Sequence, residues 1–163
     1  MAMFVRVGML LLAACWLGCG GRIPEGLGDD HGMLAPCPKK PNCVSSSASD
    51  EDHQIAALGI EGSSEAAWAG LWTTLEDTPR VEIVTSSDYY IHAVYTSLVM
   101  GYRDDVEFLL LPSKKEIAVR SASRMGYGDM GVNRERIEEI REALSAQGFV
   151  RSSPADRVSG PAK

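Results

Sequence analysis

The chain has 163 residues, of which 45% are hydrophobic and 23% charged, and its formal net charge is −6. This length is typical of one domain with short appendages, and the composition is that of an ordinary globular protein. The negative charge argues against a nucleic-acid binder and against adhesion to anionic lipid through a basic patch, because both need a surplus of Lys and Arg on one face.

The N-terminus has the pattern of a secretory signal. Arg6 precedes an apolar run over residues 7–17, which is too short to span a bilayer comfortably. Two cysteines follow small residues at its end, as in lipoprotein signals. Cys15 fits the usual lipobox better, whereas Cys19 has the longer apolar run before it and a polar, glycine-rich exit. We predict a lipoprotein signal peptide over 1–18 with Cys19 as the lipid acceptor and Cys15 as the alternative.

Acyl chains on that cysteine would hold the protein at a membrane, at about 0.8 kcal/mol per buried CH₂. The alternatives are a cleaved signal without lipid and an uncleaved anchor. Trp16 follows Cys15, and Gly20 follows Cys19. Neither residue is an aspartate at this sorting position. The predicted location is therefore the cell envelope, facing the periplasm, at the outer membrane if the cell is Gram-negative.

The rest of the chain divides by composition. Residues 19–35 are rich in Gly and Asp and predict a flexible tether between membrane and domain. Residues 36–150 carry the periodic patterns of one folded domain. Residues 151–163 are rich in Ser, Pro and Gly and predict a disordered tail.

A first helix is predicted to begin at Ser63 or Ser64, either of which can cap it, and to end before Pro79. Its apolar residues recur at i, i+3, i+4 and i+7 and form one stripe. They are Trp68, Leu71, Trp72 and Leu75.

Alternating apolar residues then predict strands over 81–83, 89–97, 105–110 and 117–120, with a hairpin turn at 112–115. A closing helix is predicted to begin at Asn133 as the N-cap, with Val132 and Ile137 as a hydrophobic staple and Gly148 as a C-cap. The fold class is α+β: an antiparallel sheet of about four to five strands with two helices packed on one face.

An ordered set of motifs resembles the DUF1499 family, small exported or lumenal domains of unknown function. The resemblance covers roughly 36–144 and implies an α+β domain often carried by lipoproteins. It brings no known reaction, substrate or catalytic residue. Its motifs are Pro36-Cys37-Pro38, Pro41-Asn42-Cys43-Val44-Ser45-Ser46, Tyr90-Ile91-His92-Ala93, Asp104-Asp105-Val106-Glu107-Phe108, Val119-Arg120-Ser121-Ala122-Ser123-Arg124, Gly128-Asp129 and Gly131-Val132-Asn133-Arg134.

Cys37 and Cys43 are separated by a short, proline-containing turn. In an oxidising compartment this spacing favours a disulfide, which would stabilise the fold by about 2 kcal/mol. The alternative is a metal site completed by His31 and His53, but this spacing matches no common zinc pattern. We therefore predict neither a metal nor a cofactor.

The candidate binding site lies on the predicted sheet. Strand alternation directs His92, Asp105, Glu107 and Arg120 away from the helices, with Glu107 opposite Arg120. Two serines, two arginines and a helix N-terminus follow, an arrangement suited to an anion. The alternative is an exposed salt bridge of little energetic value beside ordinary turns. The candidate ligand-binding residues are His92, Glu107, Arg120, Ser121, Ser123, Arg124 and Asn133, with Arg134 as a further cation.

The predicted function is a non-catalytic domain that binds a small anionic ligand or an envelope protein on an open sheet face. The alternative is a small extracytoplasmic hydrolase that uses Ser121 or Ser123, or a carboxylate, with His92. Neither serine lies in a Gly-x-Ser-x-Gly elbow, and a single strand histidine is more often a packed residue than a base. We therefore do not predict an enzyme.

Overall fold

The computed structural model describes residues 23–28 and 32–152. Within these residues, six strands form one antiparallel sheet in the order β1-β6-β5-β4-β3, with β2 paired to the same edge of β6 as β1. The strands are β1 (Cys43–Ser45), β2 (Leu58–Gly59), β3 (Val81–Ser86), β4 (Tyr90–Thr96), β5 (Arg103–Leu111) and β6 (Glu116–Ser123); the helices are α1 (Ser64–Asp77) and α2 (Val132–Ala146). The predicted α+β class is confirmed.

Two short edge strands raise the strand count above the predicted four to five. β1 has three residues and β2 has two. Strands this short show no alternation in the sequence, and they exist because the free edge of β6 offers them hydrogen-bond partners. β1 covers the end of β6 around Arg120–Ala122, and β2 covers its start.

Helix α1 forms as its apolar spacing predicts. Ser63 is its N-cap, since the Ser63 side chain accepts a hydrogen bond from the Ala66 backbone N–H at 3.0 Å. The helix stops at Asp77, with Thr78 and Pro79 following. Leu71 and Leu75 are fully buried against the sheet, and Trp68 and Trp72 pack at the margin of the same core.

The predicted strand alternation and register are also confirmed. Glu107 lies opposite Arg120, and the hairpin between β5 and β6 turns through a short 3₁₀ segment at Pro112–Lys114. The side chains expected to face the helices are fully buried in the main core. They are Ile91, Val106, Phe108, Ile117 and Val119.

The predicted start of α2 is wrong. The N-cap is Gly131, and Asn133 is the second helical residue. Asp129 does the capping: its carboxylate accepts from the backbone N–H groups of Gly131 and Asn133, both at 3.0 Å. Val132 follows the N-cap instead of preceding it, so it does not form the predicted staple with Ile137, and it is 41% exposed. At the other end Gly148 has φ +77°, which suits the glycine that follows the C-cap Gln147.

The second face of the sheet is covered rather than open. Residues 23–28 and 32–38, which we call the N-terminal segment, run across it. Leu34 is buried against Leu109 and Ala118, and the Gly28 N–H donates to Glu107 at 2.9 Å. The prediction of a tether lying apart from the domain up to residue 35 therefore needs correction, as does the open sheet face. The signal peptide, both lipid-acceptor candidates, His31 and residues 153–163 lie outside the described residues.

Candidate functional site

A network of charged side chains lies on the covered face of the sheet. β4 contributes His92, β5 contributes Asp105 and Glu107, and β6 contributes Arg120. Asp105 and Glu107 have no exposed surface, and Arg120 is 5% exposed. The expectation of an exposed surface salt bridge is therefore wrong, and these charges depend on protein partners instead of water.

Asp105 is held by two partners. His92 Nε2 lies 2.8 Å from Oδ1, and the Arg124 guanidinium donates to both carboxylate oxygens, at 2.9 Å through Nε and 2.7 Å through Nη2. Burial alone would raise the pKa of Asp105, but the hydrogen bonds from His92 and Arg124 outweigh it, so its pKa lies below the ordinary value. Asp105 is therefore an anion held in place by a bidentate arginine.

Glu107 is held by three donors. Its Oε2 accepts from Arg120 Nη1 at 2.9 Å, and its Oε1 accepts from the Tyr90 hydroxyl at 2.8 Å and from the Gly28 N–H at 2.9 Å. Burial, and then the negative charge of Glu107, raise the pKa of the Tyr90 hydroxyl, which stays protonated. Glu107 thereby connects the N-terminal segment to Arg120.

The remaining candidate residues lie on the opposite, helix-facing side of the sheet. Ser121 donates to Asn133 Oδ1 at 2.6 Å, and Asn133 Nδ2 donates to Ser123 Oγ at 2.9 Å. Arg136 bonds both Ser121 and the Asp104 carboxylate, at 2.9 and 2.6 Å. The structure thus divides the predicted site in two: His92, Glu107, Arg120 and Arg124 on one face, and Ser121, Ser123 and Asn133 on the other.

This division contradicts the predicted hydrolase arrangement. Ser121 and Ser123 are directed to the helices, while His92 lies with Asp105 on the opposite face, so the sheet separates either serine from the imidazole.

The predicted anion site at the start of α2 is occupied by the chain itself. Burial would raise the pKa of Asp129, but hydrogen bonds from Asn133 and Gly131 hold it below the ordinary value. Its carboxylate thus takes the place that an external anion would have at the helix N-terminus. Arg134 donates instead to the Asp52 carbonyl at 3.2 Å.

A cleft of about 600 Å³ lies between the N-terminal segment and the end of β6. Two buried side chains of its lining have atoms without a hydrogen-bond partner among the described residues: Arg120 Nε and Asn42 Oδ1. Asn42 is 2% exposed, and its Nδ2 is already committed to the carbonyl oxygens of Ser123 and Gly126, both at 3.3 Å. Two residues of the lining therefore hold one spare donor and one spare acceptor, and both atoms lie just beneath the surface of the cleft, with almost no solvent-accessible area.

The Cys37–Cys43 disulfide forms part of the wall of this cleft, with Pro36 and Pro38 beside it. The predicted pairing is present, and both sulfurs are consumed by it, which does not support the metal alternative. Because Cys43 belongs to β1, the bridge fixes the N-terminal segment to the sheet.

Several residues of the two networks were not singled out from the sequence, among them Tyr90, Asn42, Arg136 and Gly28. Tyr90 lies two residues before His92 and shares its face, and Arg136 lies three residues after Asn133 on the helix, so spacing alone could have indicated both. Asn42 and Gly28 lie in segments without periodicity, and their roles come from tertiary contacts.

Fold and site together define a small antiparallel α+β domain with charged groups buried between its sheet and its own N-terminal segment. The family model described as Protein of unknown function (DUF1499) matches residues 33–144. The chain belongs to this family, as the motifs predicted. No curated protein matches it. Among the residues that the structure describes, no helix is long and apolar enough to cross a membrane.

Proposed function

We propose that this protein is a cell-envelope lipoprotein whose domain binds a small anionic ligand in the cleft between the N-terminal segment and β6. The observation that carries the proposal is the Arg120 guanidinium, which is buried and pairs with Glu107 while its Nε–H has no partner among the described residues. A buried donor without a partner costs about 1–3 kcal/mol, and more when charged. A ligand oxygen would offset that cost.

The cleft also indicates the chemistry of its ligand. Arg120 Nε requires an acceptor, and a negatively charged oxygen gives the stronger, charge-assisted bond. Asn42 Oδ1 requires a donor. The lining also includes the apolar Leu27, Pro36 and Pro38, beside the charged Glu25 and Lys40. We infer a compact ligand with an anionic oxygen, a hydrogen-bond donor and an apolar portion, which the volume of about 600 Å³ accommodates.

The surrounding network favours binding over catalysis. His92 is engaged with Asp105, and the Tyr90 hydroxyl with Glu107. The Tyr90 hydroxyl holds Glu107, which in turn holds Arg120, and a fixed donor loses little entropy when a ligand arrives. A general base needs access to a substrate proton, whereas His92 is 4% exposed.

The anchoring part of the proposal depends on the signal-like N-terminus with its two cysteines. Metabolic labelling with radioactive palmitate tests it: wild type and Cys15→Ala should incorporate label, and Cys19→Ala should not. The reverse pattern would assign the lipid to Cys15. If wild type and both single variants all remain unlabelled, the protein is not a lipoprotein.

The ligand part is tested by native mass spectrometry of the protein purified gently from cells that export it. We expect a mass above that of the denatured protein, by an increment that disappears on unfolding. The increment itself gives the ligand mass. Identical native and denatured masses would contradict a resident ligand and favour recognition of an envelope protein.

A further inference from the structure

Two loops at one end of the sheet carry most of the large apolar side chains that are exposed among the described residues. The first joins β4 to β5 (97–102), and the second joins β6 to α2 (124–131). The backbone N–H of Arg124 donates to the Arg103 carbonyl at 3.2 Å, so the two loops lie side by side. Their exposed residues include Leu98, Val99, Met100, Tyr127 and Met130.

Hydrogen bonds at the loop bases fix this presentation. In the first loop the Ser97 N–H donates to the Tyr102 carbonyl at 2.8 Å, and the Tyr102 N–H donates to Ser97 Oγ at 2.9 Å. Leu98 is nevertheless 75% exposed and Val99 86% exposed. Backbone polar groups are thus paired inward while the apolar side chains face out, the opposite of what solvent alone would favour.

The chain enters the domain at the same end. Pro24 and Leu27 line the cleft together with Ser123 and Arg124, at the end of β6 where the second loop begins. Four residues separate Cys19 from Pro24. Even fully extended, they and the flanking peptide bonds reach about 18 Å at about 3.6 Å per residue. A lipid on Cys19 would therefore hold this end of the domain close to the bilayer surface.

From these observations we infer that the end of the domain formed by loops 97–102 and 124–131 rests on the lipid surface, with Leu98, Val99 and Met130 in the interfacial region. The inference depends on the proposed lipid anchor. The net charge of −6 argues against attachment by a basic patch. Contact must come from apolar side chains, which enter the boundary between headgroups and acyl chains to a depth of about 5–10 Å.

Fluorescence of the full lipoprotein in phosphatidylcholine vesicles tests this orientation. The environment-sensitive fluorophore NBD is attached at Val99→Cys, or at Tyr89→Cys as the matched control. Tyr89 is 56% exposed and lies in the turn at the opposite end of the sheet. We expect a blue-shifted emission and quenching by doxyl-labelled lipid at position 99, and neither effect at position 89.

A further variant separates insertion from mere proximity. Leu98→Glu places a charge in the first loop, away from the core, so the fold should be retained, as circular dichroism can check. It should reverse the blue shift of a label at Met130→Cys. Equal emission at positions 99 and 89 in acylated protein would overturn the orientation while leaving the lipid anchor intact. If the protein carries no acyl mass and does not float with the vesicles, both the orientation and the lipid anchor are overturned.

Discussion

Glu107 and Arg120 form an ion pair in which both side chains are almost completely buried. A buried pair of this kind contributes little net stability compared with apolar residues of the same size, because desolvation offsets the attraction. Under the proposed function, its presence is explained by the need for a guanidinium at the cleft. Glu107 then serves to neutralise and orient Arg120.

Removing one partner of this pair should be far more damaging than removing both. Arg120→Met leaves the Glu107 carboxylate buried without its cation, and we expect a loss of about 3–5 kcal/mol in the free energy of unfolding. The double variant Glu107→Gln/Arg120→Met should recover most of that loss. Urea unfolding measures both. A loss below about 1 kcal/mol for the single variant, as exposed pairs give, would contradict the buried network.

Asp105 predicts a dependence of stability on pH. Its pKa is lower in the folded protein than in the unfolded chain, so its contribution is complete above the ordinary aspartate pKa of about 3.9. The contribution falls as the pH drops further through the folded-state pKa, because the unfolded chain then binds more protons. In unfolding titrations from pH 7 to pH 2, the stability difference between wild type and Asp105→Asn should shrink below about pH 4. A constant difference would contradict the assigned charge.

At the level of elements, α1 contacts Phe149, which follows α2, through a glycine. A Cβ on Gly70 would lie 2.4 Å from two ring atoms of Phe149. Alanine would otherwise favour the helix by about 1 kcal/mol, whereas overpacking costs about 1–3 kcal/mol. The cost of the steric conflict with Phe149 should therefore exceed the gain in helix propensity.

We expect Gly70→Ala to lower the melting temperature. Gly128→Ala is the control, because a Cβ there meets no atom within 4 Å. Gly70→Ala combined with Phe149→Leu should restore part of the loss by removing the ring. Thermal unfolding followed by circular dichroism gives the comparison, and a more stable Gly70→Ala protein would show that Phe149 moves aside freely.

Local patterns predicted the elements whose structure is set locally. The stripe of α1 and the Glu107–Arg120 register follow from periodicity and turn length, and both are confirmed. The predicted start of α2 was wrong. Asn133 is a good N-cap by residue type, but its side chain is hydrogen-bonded to Ser121 and Ser123. That competition arises from tertiary structure, and Asp129 does the capping.

At the scale of the whole molecule, the unpredicted feature is that the N-terminal segment covers the sheet. This segment is rich in Gly and Pro and its apolar residues follow no period, so its composition resembles that of a tether. Leu34 alone gives no signal in the sequence, yet it is buried against Leu109 and Ala118. The candidate site was therefore predicted on the right strands. It was wrongly predicted as an open surface, and residues from the two faces of the sheet were assigned to one site.

The disulfide should matter to this covering segment more than to the sheet. Replacing Cys37 and Cys43 with serine removes the link between the N-terminal segment and β1, with an expected loss of about 2 kcal/mol. Amide hydrogen exchange should accelerate over 32–38 while the β5–β6 hairpin stays protected. Equal acceleration in both regions would indicate that the bridge supports the whole fold instead.

The claim that a ligand occupies the cleft is tested most directly by comparing two arginine variants in native mass spectrometry. Arg120→Lys keeps a cation for Glu107 but removes the Nε–H donor that has no partner among the described residues. Arg141→Lys is the matched control, since Arg141 is equally buried and donates to the carbonyls of Ala56 and Ala57, away from the cleft. We expect the ligand mass to be lost from Arg120→Lys and retained in Arg141→Lys. Retention in both variants would contradict binding through Arg120.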